Sequence, residues 1–137
     1  MLTLLLAAMI AQTPVTRSYN ASLLSCYDGD TCSFDIHLGL SVVLHDQTIR
    51  FCNINSPEIK PLITRVAATA SRDALVSWIK SAKSLELRIP QLSSCAYGQC
   101  DGKDKYGRWL AFVYADGVNL NEKMVSQGLA VSYLECQ

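Results

Sequence analysis

The sequence has no net charge. Twelve lysines and arginines are matched by twelve aspartates and glutamates over 137 residues. No global basic field therefore draws in a polyanion, and any anion must be held by a local cluster. A membrane-spanning run is also lacking. Residues 2–11 are apolar with one threonine, too short for a bilayer and about the length of the apolar stretch of an export signal. Neither a repeat nor a linker divides the chain, and its length suits one domain rather than two. Histidine is scarce: His37 and His45 are the only two. Both read as surface residues in or near a hairpin connection, which leaves a Cys-x4-Cys zinc site on Cys95 and Cys100 with little to complete it.

What is present begins with six cysteines. An even count agrees with an oxidising compartment and allows fifteen pairings, among which sequence does not choose. Cys95 and Cys100 could close their loop locally, leaving Cys26, Cys32, Cys52 and Cys136. With small residues at Ala11 and Thr13, residues 1–13 are expected to be an export signal, the alternative being a buried N-terminal strand. Residues 14–21 follow as a flexible polar lead-in, and 22–137 as one domain. The expected product is a secreted or periplasmic monomer with no stable membrane association.

Periodicity supplies the elements. Residues 21–27 read as a first strand stopped by Asp28-Gly29-Asp30. Residues 31–38 and 47–54 pair as strands across a long connection at 39–46. Over 64–82 the apolar positions Ala67, Ala70, Ala74, Leu75, Trp78, Ile79 and Ala82 recur at three and four, an amphipathic helix. Residues 84–89 alternate as a half-buried strand ended by Pro90, a polar loop runs to Gly107, and 109–114 is the last strong strand. Asp116-Gly117 is a turn signal, Asn119 with Glu122 a capping pair for a short helix, and Gly128 its stop. Short strands with one helix inserted after the third predict a mainly β fold with α: a five-stranded Greek-key barrel of the OB type, with a short second helix.

The chemistry gathers around Ile49-Arg50-Phe51-Cys52-Asn53-Ile54-Asn55-Ser56-Pro57-Glu58. Ser56-Pro57 must break this strand, because proline has no N–H for a ladder and pushes its predecessor out of the helical region. Asn55, Ser56 and Glu58 are thrown out at a rigid strand end. Asp30, starting the neighbouring strand, can lie beside Arg50, and Arg108 stands just before the final strand. Two carboxylates, an amide and two arginines suit a hard cation with oxygen ligands and a phosphate held by forked guanidinium groups. Singly, each such residue is more often a solvated surface group.

These pieces resemble the staphylococcal-nuclease-like (thermonuclease) family. The match runs through Asp28-Gly29-Asp30-Thr31, Ile49-Arg50, Ser56-Pro57-Glu58 and Asp104-Lys105-Tyr106-Gly107-Arg108. It continues through Leu110-Ala111, Val113-Tyr114-Ala115-Asp116-Gly117, Asn121 and Gln127-Gly128-Leu129-Ala130, covering about 22–133 in the family's order. The resemblance implies an OB-type barrel and Ca²⁺-dependent hydrolysis of phosphodiester bonds in DNA and RNA, leaving a 5′-hydroxyl and a 3′-phosphate. By the same resemblance Asp30 is a Ca²⁺ ligand, Ser56 lends its backbone carbonyl, and Glu58 is the general base. Arg50 and Arg108 hold the phosphate, Lys105 and Tyr106 contact a terminal phosphate, and Tyr133 stacks on a base.

Two departures stand out. Asn55 occupies the position of a second aspartate ligand; its amide oxygen can coordinate calcium, but one negative charge is gone and calcium affinity tracks ligand charge. The sequence also reaches Gln137 without the long C-terminal helix of the staphylococcal enzyme, so either the barrel closes differently or disulfides substitute. A catalytically silent barrel that binds nucleic acid or protein is the alternative reading. Asn55 and zero net charge favour it; the retained Asp30, Arg50, Glu58 and Arg108 favour the enzyme.

Overall fold

The computed structural model describes residues 16–90 and 102–136. The expected signal and the Cys95–Cys100 loop closure lie outside the described residues. Three strands form a meander: β1 (Thr16–Cys26), β2 (Thr31–Gly39) and β3 (Val42–Phe51). A two-residue β4 (Ile54–Asn55) and a 3-10 turn (Leu62–Thr64) lead into helix α1 (Arg65–Ser81). Strands β5 (Leu85–Pro90), β6 (Trp109–Ala115) and β7 (Val118–Asn119) follow, then helix α2 (Leu120–Ser126) and β8 (Val131–Ser132).

The sheet order is β3-β2-β1-β5-β6-β7, and β3 also pairs in parallel with β6. That extra pairing closes five strands into a mixed barrel of the OB type, removing the open edges a flat sheet would present. Inward-facing Phe34, Ile36, Ile49, Phe51, Leu87, Ile89, Ala111 and Val113 fill the interior, with Leu75 and Ile79 of α1 and Leu120 and Met124 of α2 joining the same cluster.

A buried amide ties the closure together. Asn121, 2% exposed on α2, accepts from Val113 N at 3.0 Å and donates to Cys52 O at 2.9 Å and Ala111 O at 3.1 Å. One side chain thus joins the end of β3 to the middle of β6, which an apolar residue could not do. At the entry to α2, Asn119 caps as expected, accepting from Glu122 N. Gly128 ends that helix region at φ +71°, where a side chain would be strained.

Three expectations need correction. The first strand begins at Thr16, not at residue 21: residues 16–20, which composition suggested were a lead-in, pair with β5 from Thr16↔Pro90 to Asn20↔Glu86. Backbone pairing does not require apolar side chains on a solvated strand. The long connection expected at 39–46 is a tight turn, with Leu40 and Ser41 at φ +52° and +65°. Two left-handed residues match the twist of a two-residue hairpin, but the Asn-Gly or Asp-Gly signal for it is missing. Finally, α1 buries Ala68, Ser71, Leu75 and Ile79, not Ala67 and Ala70. Ser71 Oγ donates to Leu129 O at 2.7 Å, a polar anchor that apolar periodicity cannot register.

Candidate active site

The site is built where the β1–β2 turn meets the end of β3. Cys26 and Cys32 face each other across the hairpin and are disulfide-bonded, closing the loop that carries Asp28, Gly29 and Asp30. A Cβ on Gly29 would come within 2.8 Å of the Ser56 Cβ and 2.9 Å of Met124 Cε, so only glycine lets the turn sit this close to Ser56. The turn docks on β3 through Phe51 N, which donates to Asp30 O at 2.8 Å, while Thr31 pairs with Arg50.

Asp30 is buried and heavily engaged. Its Oδ1 accepts from Thr31 Oγ1 at 2.9 Å and its Oδ2 from Ser56 N at 2.8 Å, with Arg50 Nη1 3.5 Å from Oδ2. Asp28, also buried, accepts from Asp30 N at 3.0 Å. Burial first, and then the neighbouring Asp30 carboxylate, push the Asp28 carboxyl from 3.8 up to about 7.

Arg50 is 6% exposed, and its guanidinium is fixed on several sides. Nη1 donates to Phe51 O at 2.9 Å, Nη2 donates to Asn55 Oδ1, and Glu135 Oε2 lies 3.8 Å from Nη2. Guanidinium has five N–H donors; two are hydrogen-bonded here, and Nη1 and Nη2 also face the Asp30 and Glu135 carboxylates. Asn55 Oδ1, expected as a metal ligand, therefore serves Arg50 here.

Past β3 the chain turns at Asn53, φ +63°, and the turn receives the C-terminal segment. Asn53 O accepts from Tyr133 N at 2.9 Å, and Asn53 Oδ1 accepts from both Glu135 N and Cys136 N at 3.0 and 2.9 Å. Strand β8 pairs with β4, and Cys52 is disulfide-bonded to Cys136. Glu135 is carried to Arg50 by this clamp. Burial raises its carboxyl above the usual carboxylate range, against the opposing pull of Arg50 and Arg108.

Arg108 is set by Asp104. The Asp104 carboxylate accepts from Tyr106 N and Arg108 N at 2.9 Å each and from Arg108 Nε at 2.7 Å. Holding Nε directs the guanidinium fork while leaving its terminal nitrogens to face an anion. Lys105 and Tyr106 are exposed on the same loop, Lys105 Nζ 5.1 Å from the Tyr106 ring centre. Tyr133 is half exposed, and Glu58 is exposed, with its backbone carbonyl accepting from Thr64 Oγ1.

The structure thus joins Asp30, Arg50, Asn55 and Ser56 in one hydrogen-bonded network, and Glu135 responds to the charges of Arg50, Arg108, Asp104 and Asp30 together. Glu58, Lys105 and Tyr106 stand in solvent near it in sequence, outside that network. Sequence reasoning left three acids unassigned. Asp28 and Asp104 lay inside the quoted motifs, while the only hint of Glu135 was an adjacent cysteine. His37 and His45 lie exposed on strands, as expected, contacting Ser22 Oγ at 3.0 Å and Asp35 Oδ1 at 2.6 Å; the Cys95–Cys100 zinc alternative falls outside the described residues.

A hard cation finds a partial donor set here. Asp28 and Asp30 supply carboxylates, and Ser56 Oγ is buried without a hydrogen-bond partner, an orphan that a cation or water would satisfy. Among the described residues no group of three or more His, Cys, Asp or Glu converges on one point. The residues fit a hard cation, but one held by few protein charges.

A fold and site of this kind define a small nuclease-type OB barrel. The family described as staphylococcal nuclease homologue matches residues 48–137, and the chain belongs to that family. It is 30% identical over 118 residues to the endonuclease YncB of Bacillus subtilis (strain 168), covering 84% of this chain and 49% of YncB. It is 34% identical over 88 residues to the SPbeta prophage-derived endonuclease YokF of the same organism, covering 64% of this chain and 27% of YokF. The chain thus spans about half of one relative and about a quarter of the other.

Proposed function

We propose that this domain is an exported, calcium-dependent nuclease that hydrolyses phosphodiester bonds of DNA and RNA. The observation that carries the reading is the buried guanidinium of Arg50, oriented by fixed acceptors beside the Asp30 carboxylate at 3.5 Å. A buried cation held in one orientation is suited to a phosphate and costly to maintain otherwise. Names of the relatives, both endonucleases, support the same reaction class. Export is supported by the two disulfides among the described residues.

In this reading the phosphate is gripped by Arg50 and Arg108. The equatorial oxygens gain negative charge as water attacks in line, and prepositioned cations are worth most at that moment, on the order of 3 kcal/mol for one good donor. Glu58, exposed to bulk water, accepts the proton of the attacking water. Asp30 and Asp28, with Ser56, would hold Ca²⁺, which when bound polarises the phosphoryl group as a Lewis acid. Lys105 and Tyr106 meet a flanking phosphate, and Tyr133 offers a face to a base.

A silent binding module remains the competing reading, because Asn55 Oδ1 is already engaged by Arg50. A fluorogenic nuclease assay on the protein, with calcium and with EDTA, decides between them. Cleavage of both DNA and RNA that EDTA abolishes is expected. Nucleic-acid binding without cleavage at any calcium concentration would overturn the enzyme reading.

A further inference from the structure

Glu135 is the acid whose placement is most heavily engineered and whose charge has no hydrogen-bonded taker. Asp30 accepts from Ser56 N and Thr31 Oγ1, and Asp104 accepts from three donors of its own loop. Glu135 Oε1, by contrast, is buried with no hydrogen-bond partner, and Oε2 faces Arg50 Nη2 at 3.8 Å. Its backbone is held on both sides: Glu135 N and Cys136 N both donate to Asn53 Oδ1, Tyr133 N donates to Asn53 O, and Cys136 is cross-linked to Cys52. A solvated acid needs none of these restraints.

The restraints make sense from the arginine's side. Arg50 Nη2 has two neighbours, the neutral Asn55 amide and the Glu135 carboxylate. A buried cation loses its hydration and is costly unless it is both paired and hydrogen-bonded. Asp30 serves Nη1, and on the Nη2 side position 55 supplies a dipole but no charge. We propose that Glu135 is a positioning residue for Arg50: clamped by Asn53 and the Cys52–Cys136 disulfide, it supplies from the C-terminal segment the negative charge that Asn55 lacks, and so fixes the guanidinium for phosphate binding. The proposal rests on the phosphate-binding role of Arg50.

The experiment compares wild type, Glu135→Gln, Asn55→Asp and the double variant, all oxidised. Three quantities are read: kcat/KM on a fluorogenic oligonucleotide, the thermal midpoint, and ¹⁵N NMR of the arginine Nε–H groups with Arg50 assigned by Arg50→Lys. Glu135→Gln should lower kcat/KM tenfold or more, with kcat affected more than KM, and speed rotation of the Arg50 guanidinium. Adding Asn55→Asp should return most of that loss, since it restores a charge on the same nitrogen; a purely structural role for Glu135 would not be rescued from position 55. Cys136→Ala should reproduce the Arg50 NMR change by releasing the clamp. Unchanged Arg50 dynamics in Glu135→Gln overturns the proposal whether or not the protein cleaves nucleic acid. So does a loss of activity that Asn55→Asp fails to recover. If the wild type does not cleave at all, the nuclease reading fails, and the NMR comparison still judges the link between Glu135 and Arg50.

Discussion

The two disulfides among the described residues span very different lengths of chain, and that difference is a sharp test of how the barrel is stabilised. Cys26–Cys32 closes a loop of sequence separation 6, and Cys52–Cys136 one of 84. A cross-link restricts the unfolded chain by an amount that grows with the logarithm of loop length. On that basis removing Cys26–Cys32 costs about 2 kcal/mol and removing Cys52–Cys136 about 4.5 kcal/mol. The expected outcome is that Cys52→Ala/Cys136→Ala unfolds in urea with a stability about 2 kcal/mol below that of Cys26→Ala/Cys32→Ala. For a domain of this size, at about 4 °C per kcal/mol, the long-loop variant should melt roughly 15–20 °C below wild type. Equilibrium urea titration followed by tryptophan fluorescence gives both midpoint and slope, so a change in the unfolded state's compactness is seen separately. Equal losses in the two variants, or a larger loss for the short loop, would refute the reasoning. Mass spectrometry of the native protein showing all thiols free would refute it sooner.

Four further outcomes are expected. Glu58→Gln should keep the fold and lower turnover by roughly 10²–10⁴-fold, the usual span for a general acid–base residue; steady-state kinetics beside an unchanged melting curve checks it. Arg50→Lys and Arg108→Lys should each impair kcat/KM strongly, because an ammonium cannot reproduce a forked guanidinium, and two near-normal lysine variants would remove the clamp from the mechanism. Asn121→Leu leaves Val113 N and Cys52 O without their partner, a loss of about 2–6 kcal/mol at 1–3 per orphaned buried group, and a urea-derived loss below 1 kcal/mol would contradict that role. Asp28 titrates higher folded than unfolded, so the stability it contributes is present below pH 3.8 and is lost as pH rises through about 7; metal-free Asp28→Asn should flatten the stability profile in that window, and identical profiles would count against it.

Much of the fold was legible because its signals are local. The Asp116-Gly117 turn, the Asn119 cap and the alternation of Leu85, Leu87 and Ile89 each sit within a few residues of their effect. The β2–β3 turn escaped because Leu40 and Ser41 adopt left-handed backbone without the residues that usually advertise it. Strand β1 started early because Arg17, Ser18 and Asn20 can pair through their backbone while presenting polar side chains to water. In the site, Asp30 beside Arg50 followed from strand order alone, whereas the Asn55–Arg50 bond depends on which way a short side chain turns after a strand end. Glu135 was out of reach for a different reason: the residues that hold it, Arg50, Cys52 and Asn53, are 80 or more residues away, and sequence does not choose the Cys52–Cys136 pairing from among fifteen possible frameworks.

The same contacts that close the barrel also set the arginines, and this separates two kinds of loss. Arg50 pairs with Leu110 and Phe51 with Ala111 where β3 meets β6 in parallel, one residue before the carbonyl that Asn121 holds. Loosening that seam, by Asn121→Leu or by cutting Cys52 from Cys136, must shift Arg50 as well as weaken the domain. Glu58 stands in solvent beyond the seam, so its loss should leave stability alone. Plotted against one another, stability and activity should fall together for the seam residues and activity alone for Glu58. Were a seam variant destabilised by several kcal/mol yet fully active at a temperature where it remains folded, the guanidinium would have to be held by its local acceptors at Phe51 and Asn55 rather than by the closure of the barrel.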